Sequence, residues 1–154
     1  MAKTDLPVKV LGVNRKARFN YSIDETFECG LSLVGTEVKS IKEGRISFAD
    51  SYATVQNDEL WLVDLHVTPY AFGNRLNHDP LRKRKLLVHR KEIKRLRRLI
   101  EEKGLTLVPL KFYLKKGLVK CEVGIARGKK LFDKRDDIRK RDQKRELERE
   151  YRVK

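Results

Sequence analysis

The chain has 154 residues, 40% of them apolar, with 37 Lys/Arg against 22 Asp/Glu and a net charge of +15. That length suits one domain around one core. No apolar run approaches the ~20 residues that cross a bilayer, and Met1–Gly12 has no signal-peptide pattern, so no membrane partner and a cytoplasmic location are expected. The charge is divided: Met1–Leu81 has 9 basic and 11 acidic residues, Arg82–Lys154 has 28 and 11, and the second half carries +17. A block of positive potential matches a nucleic-acid backbone, whose charges lie ~1.7 Å apart along a duplex and whose neutralisation releases counterions. The expected partner is a polyanion, nucleic acid first.

In chain order, the first predicted strand is Phe27–Val34. A short helix follows over Gly35–Gly44, with Val38 and Ile41 on one face and Gly44 as its stop. Strands Tyr52–Gln56 and Leu60–Val67 flank Asn57-Asp58, a hairpin signal. The longer helix runs over Val88–Lys103. Ile93, Leu96, Leu99 and Ile100 make its apolar face, Arg90, Lys91, Lys94, Arg95, Arg97 and Arg98 its basic one, and Gly104 ends it. Strands Thr106–Tyr113 and Leu118–Ile125 follow, joined through Lys116-Gly117. Short strands with two or three helices predict a mainly β fold, a small β-barrel or an α+β domain. Cys29 and Cys121 sit in β-like apolar runs and read as core thiols. His66, His78 and His89 show no zinc spacing, so no metal and no cofactor are expected.

Beyond Lys130 the composition changes. Leu131–Lys154 has 10 basic and 7 acidic residues in 24 positions and six apolar ones. That is too little surface to offset ordering costs of ~1–2 kcal/mol per residue, so a tail disordered in the free protein is expected. Helical potential is present in the i, i+4 pairs Asp136/Lys140, Asp137/Arg141 and Glu148/Arg152, each worth ~0.2–0.5 kcal/mol. The expected division is a folded domain over 1–130 and a flexible tail over 131–154 that becomes helical on a partner.

Three motifs carry function. His78–Arg98 contains the consecutive cations Arg82, Lys83, Arg84 and Lys85, followed by Leu86-Leu87-Val88, which tie them to the core. Such a segment can recognise RNA through phosphates and 2′-hydroxyls. The competing reading is a solvated basic helix, against which stand 11 basic and 3 acidic residues between Arg82 and Lys103. In GIARGKKLFDKR, Gly124–Arg135, Gly128 beside Lys129 and Lys130 suggests close backbone approach to phosphate. It lacks the GxxxxGK[ST] spacing of a nucleotide-hydrolysing loop. Phe19, Tyr21 and Phe27 lie near Arg15, Lys16 and Arg18, an arrangement that can stack bases or build a core. Asp24/Glu25, Asp64/His66 and His78/Asp79 form no nucleophile and base set, so no enzyme is expected.

NRKA (Asn14–Ala17), GTEVKS (Gly35–Ser40), HDPLRKRKLL (His78–Leu87) and GIARGKKLFDKR together resemble the small protein B family, the SsrA-binding proteins of bacterial trans-translation, from about Val10 onward. The resemblance implies an oligonucleotide-binding-type β-barrel with accompanying helices and a disordered basic tail. It implies binding to the tRNA-like domain of transfer-messenger RNA and delivery to stalled ribosomes. There the barrel stands in for the missing anticodon arm, and the tail enters the small-subunit decoding site and mRNA channel. Alanyl-tRNA synthetase and elongation factor Tu are implied only indirectly, through charged transfer-messenger RNA. Glu28 matches an acidic family position at the RNA face, following Tyr21 at an aromatic one. Leu87 and His89 match the end of the KLL run, where some members carry Asn in place of His89. Arg15, Lys16, Arg82, Lys83, Arg84, Lys85, Gly128, Lys129 and Lys130 are the further implied RNA contacts. Asp133, Lys134 and Arg135 match the entrance of the ribosome-engaging tail, whose cations continue with Arg139, Lys140, Arg141, Lys144 and Arg145. Leu114 stands where relatives often have Trp, a packing change. Two rivals share some of these features: a ribosomal or tRNA-binding barrel with an assembly role, and an enzyme acting on RNA.

Overall fold

A computed structural model describes residues 8–72, 77–128 and 131–153, with the backbone alone for 131–134 and 151–153. In chain order the elements are β1 (Lys9–Val13), α1 (Ala17–Asn20), β2 (Tyr21–Leu31), α2 (Gly35–Lys42), β3 (Ile46–Ser47), β4 (Tyr52–Gln56) and β5 (Glu59–Val63). They continue with β6 (His66–Val67), β7 (Arg84–Leu87), α3 (Arg90–Lys103), β8 (Thr106–Lys115), β9 (Leu118–Gly128) and α4 (Leu131–Val153). The main sheet runs β1-β8-β4-β5-β7-β2-β9, and β9 pairs back onto β8. Six strands thus follow one another in a ring, β8-β4-β5-β7-β2-β9, with every pairing antiparallel. The ring is thinnest between β4 and β8, joined by Ala53 opposite Leu107. This is the expected mainly β barrel, with β1 added outside on β8 and β3-β6 as a separate two-stranded ladder.

Strand alternation explains the core. Leu60 and Leu62 of β5, Leu86 of β7, Cys29 of β2, Leu107 and Phe112 of β8, and Cys121, Val123 and Ile125 of β9 are all buried. Each large member contributes ~1.5–3 kcal/mol by leaving water. Ile41 of α2 and Ile93 and Leu96 of α3 are buried too, and Leu99 and Ile100 pack against the same core. The two thiols face each other across β2 and β9, both free. Burial raises both, Cys29 to about 12, which keeps them protonated and inert. A satellite cluster of Ala17, Val108, Leu110 and Ala126 lies under α1.

Both hairpin signals hold. Asn57 and Asp58 have φ of 52° and 58°, Lys116 and Gly117 of 52° and 76°, the left-handed pair that a two-residue turn with the strands' own twist requires. Other boundaries differ from the sequence reading. β2 starts at Tyr21, six residues before the predicted Phe27, because a bulge between Ile23 and Glu25 resets the alternation that signals a strand. The predicted strand Leu60–Val67 breaks into β5 and β6 around Asp64, whose φ is 59°.

Leu131–Val153 is helix α4, the form expected of the tail on a partner. The segment has no Gly or Pro, and its i, i+4 charge pairs favour a helix locally. It also has a docking contact: the Arg141 guanidinium sits 5.4 Å from the Phe19 ring of α1.

Candidate nucleic-acid interface

The four consecutive cations do not form one patch, because β7 is pleated and successive side chains point to opposite faces. Arg84 is 0% exposed, so the expectation that it contacts RNA is corrected: it is a core residue. Its Nε donates to Glu37, which is itself 0% exposed. Its Nη1 donates to the carbonyls of Leu65 (2.8 Å) and Arg82 (3.0 Å), and its Nη2 to those of Asp79 (3.4 Å) and Pro80 (3.2 Å). Glu37 also accepts from the Val34 N–H (3.0 Å) at the start of α2 and from Arg82 Nη2. Burial alone would raise the Glu37 carboxyl, but the hydrogen bonds from Arg82 and Val34 and the Arg84 charge hold it below its ordinary range. Next along, His78 Nε2 lies 2.9 Å from the Val67 carbonyl, and its Nδ1 lies 2.9 Å from Thr36 Oγ1. A carbonyl can only accept, so Nε2 carries the proton. These contacts fix the segment 78–87 onto α2. Arg82 is half-buried against Glu37, whereas Lys83 and Lys85 face outward near Gln56 and Glu59, each at 3.4 Å.

Glu28, Leu87 and His89, far apart in sequence, line one concavity of about 500 Å³ with Phe27, Gly30, Val88, Glu92 and Lys120. Strand pairing causes this, since Gly30 lies opposite both Leu87 of β7 and Lys120 of β9. A Cβ at Gly30 would come within 3.3 Å of the Leu87 Cβ, so glycine permits the close approach. Cys29 points into the barrel, leaving Glu28 and Gly30 outside. His89 occupies the N-cap position of α3 without a side-chain capping hydrogen bond. Tyr113 Oη donates to Glu28 at 2.5 Å, and Lys115 Nζ lies 3.4 Å away. The Tyr113 hydrogen bond keeps the Glu28 carboxyl below its ordinary range despite partial burial. The result is an apolar floor, with Leu87 50% exposed, edged by a fixed acceptor and by Lys120. An apolar floor with a fixed acceptor and a cation at its edge has the chemistry to take a base or ribose edge and an adjoining phosphate. Tyr113, Glu92 and Lys120 lie at this recess and are absent from the sequence reading. Strand register would have found Lys120, opposite both Gly30 of β2 and Tyr113 of β8, and Glu92 follows from its place in the first turn of α3 after His89.

Arg15, Lys16 and Tyr21 gather elsewhere, in a concavity of about 790 Å³ shared with Asn14, Asn20, Phe48, Asp50, Tyr52 and Thr106 among others. Asn14 pins this loop to β8, donating from its side chain to the Pro109 carbonyl (2.9 Å) and from its backbone to that of Leu110 (2.7 Å). Tyr21 packs on the satellite cluster and pairs with Gly128. Gly128 has no left-handed φ, and a Cβ there would meet no protein atom within 4 Å, so neither a turn nor packing within the barrel requires glycine there. Lys129 and Lys130 lie outside the described residues, and the side chains of Asp133 and Lys134 likewise. Arg135, Arg139, Lys140, Arg141, Lys144 and Arg145 are exposed along α4. On α3, Arg95 pairs with Glu25, and Arg97 with Asp58 at 2.6 Å, while Arg90, Lys91, Lys94 and Arg98 are exposed. No helix among the described residues is long and apolar enough to cross a membrane.

An antiparallel β-barrel with an apolar recess at a strand seam and cations around it is a nucleic-acid-binding barrel of the oligonucleotide-binding type. The SmpB protein family model matches residues 11–153. Relatives named SsrA-binding protein are 53% identical over 153 residues in Treponema denticola (99% of this chain, 98% of the relative) and 55% over 145 residues in Desulfitobacterium hafniense (94% and 93%). One from Thermosynechococcus vestitus is 57% identical over 143 residues (92% and 94%). A solved structure described as "tmRNA-SmpB: a journey to the center of the bacterial ribosome" superposes with a TM-score of 0.68 at 46% identity, covering 87% of this chain and 96% of that one. The chain belongs to the SmpB family.

Proposed function

We propose that this chain binds SsrA RNA, the transfer-messenger RNA, and brings it to stalled bacterial ribosomes for trans-translation, with tagging of the nascent peptide and ribosome rescue as the outcome. The observation that carries the reading is the meeting of Glu28, Leu87 and His89 in one recess, beside the outward Lys83 and Lys85 and the basic face of α3, in a family of SsrA-binding proteins. The barrel holds the tRNA-like domain in the position of an absent anticodon arm. The tail, carrying Arg135, Arg139, Lys140, Arg141, Lys144 and Arg145, engages the decoding site and mRNA channel. The protein acts in the cytoplasm and changes no bond itself: Glu28 and the cations position RNA and do no proton transfer. RNA recovered with the protein from its own cells should be enriched in one alanine-accepting, tRNA-like species. Recovery of bulk ribosomal RNA or ordinary tRNA without that enrichment would favour a ribosomal assembly protein instead.

A further inference from the structure

The surface formed by α2 and the segment after β6 takes no part in the recesses above, yet it presents the most exposed large apolar side chain among the described residues. Phe72 is 82% exposed. Its ring meets Tyr70 edge-on, with centroids 5.7 Å apart and planes at 66°. Lys39 Nζ of α2 lies 5.2 Å from the Tyr70 ring centre. The Tyr70 backbone is clamped from both sides: its N–H donates to Asn77 Oδ1 at 3.2 Å, and its carbonyl accepts from Asn77 Nδ2 at 2.8 Å. Two residues earlier, the Thr68 N–H donates to the Arg45 carbonyl at 3.0 Å. Asn77 adjoins His78, which is itself fixed to Thr36 of α2 and to Val67. Tyr70 is therefore displayed by a held backbone, with the Phe72 ring against its edge.

The surroundings distinguish between occupants. A protein-docking patch is a contiguous apolar area depleted of lysine at its centre. Here the exposed Lys39 stands over the Tyr70 ring, and Glu43 at the end of α2 is paired with Arg45 at 3.3 Å. A π-face with an adjacent exposed cation fits a nucleobase and its phosphate. The segment is also continuous with the RNA-facing strand. α2 holds Thr36, which binds His78, and Glu37, which binds both Arg82 and Arg84 at the start of β7.

We propose that Tyr70, Phe72 and Lys39 form a stacking platform for an unpaired base of the same SsrA RNA, a second hold on that RNA beyond the Glu28–Leu87–His89 recess. The proposal rests on the SsrA-binding reading given above. Because Phe72 makes little packing contact, its variants are expected to fold as the parent does.

The test measures affinity of the full-length chain for SsrA RNA, for the parent protein first and then for Phe72→Ala, Phe72→Leu, Phe72→Trp and Lys39→Gln. One lost base stack should weaken binding by about tenfold in Phe72→Ala. Phe72→Leu should be equally weak, and Phe72→Trp as tight as the parent, since a π-face and not an apolar volume is required. Lys39→Gln should lower the salt slope by ~0.7. If the parent does not bind SsrA RNA, the functional reading itself fails. If the parent binds and Phe72→Ala or Phe72→Leu binds as tightly, the platform is overturned while the functional reading stands. If Phe72→Ala keeps its SsrA RNA affinity and loses only ribosome engagement, the proposal is overturned in favour of a ribosomal contact.

Discussion

The barrel and α4 are built by opposite rules. In the barrel, Leu60, Leu62, Leu107 and Phe112 are fully buried, and even its one buried arginine is enclosed by a carboxylate and four carbonyls. In α4, every described side chain from Arg135 to Glu150 except Asp136 and Asp137 is exposed, and charges of both signs alternate along it. The first is held by burial, which salt does not weaken. The second carries i, i+4 opposite charges whose pairing is worth ~0.2–0.5 kcal/mol each, and its Arg141 contact with Phe19 of α1 is one that salt or a polyanion can displace. Rigid placement suits recognition of a folded RNA; exposed, re-orientable cations suit a channel.

The largest expected effect lies in the barrel's polar lock. Arg84→Ala leaves the buried Glu37 with only Arg82 and the Val34 N–H as partners, empties the space of a buried side chain and should destabilise the fold by ~3–5 kcal/mol in denaturant titration. A loss under ~1 kcal/mol would mean that the pair is wet and does not organise the segment 78–87. The same lock has a pH signature. Because the folded Glu37 carboxyl lies below its unfolded value of about 4.3, its stabilisation is complete above that pH and is lost as pH falls through the folded value. Glu37→Gln should flatten that acid limb of the stability curve.

Leu87→Ala sharpens the comparison from the binding side. Leu87 is half exposed, so stability should change by under ~0.5 kcal/mol. SsrA RNA affinity should nevertheless fall on the order of tenfold, the scale of an apolar anchor at an interface centre. Equal losses of stability and affinity would reassign it to packing. The smallest effect is expected in the tail. Phe19→Ala removes the ring under Arg141, an exposed cation–π contact worth ~0.5–1 kcal/mol. Protease cleavage in α4 should quicken while the barrel's denaturation midpoint stays put, and raising the salt should mimic the variant.

Much of the fold was legible in the sequence because local signals coincided with the final packing. Ile93, Leu96, Leu99 and Ile100 announced α3, Gly104 its end, and Asn57-Asp58 and Lys116-Gly117 their hairpins. What was not legible depended on distant partners. Arg84 reads as one more cation until Glu37, 47 residues away, is placed against it. Glu28 and His89 share a recess only because β2 and β7 pair at Gly30 and Leu87. Residue by residue, they were reached through family resemblance and not through spacing. β2 was cut short because Asp24 sits in a bulge that breaks the two-residue period. The tail's helical potential shows in its alternating charges, but its contact with Phe19, more than a hundred residues earlier, does not show in the sequence.

The division of labour between barrel and tail is most directly tested by a chain ending at Lys130, assayed for SsrA RNA affinity and for peptide tagging on stalled ribosomes. The affinity should stay near that of the full chain while tagging is abolished. Loss of RNA binding together with tagging would contradict the account, because it would place the main RNA contact on α4 and not on the barrel.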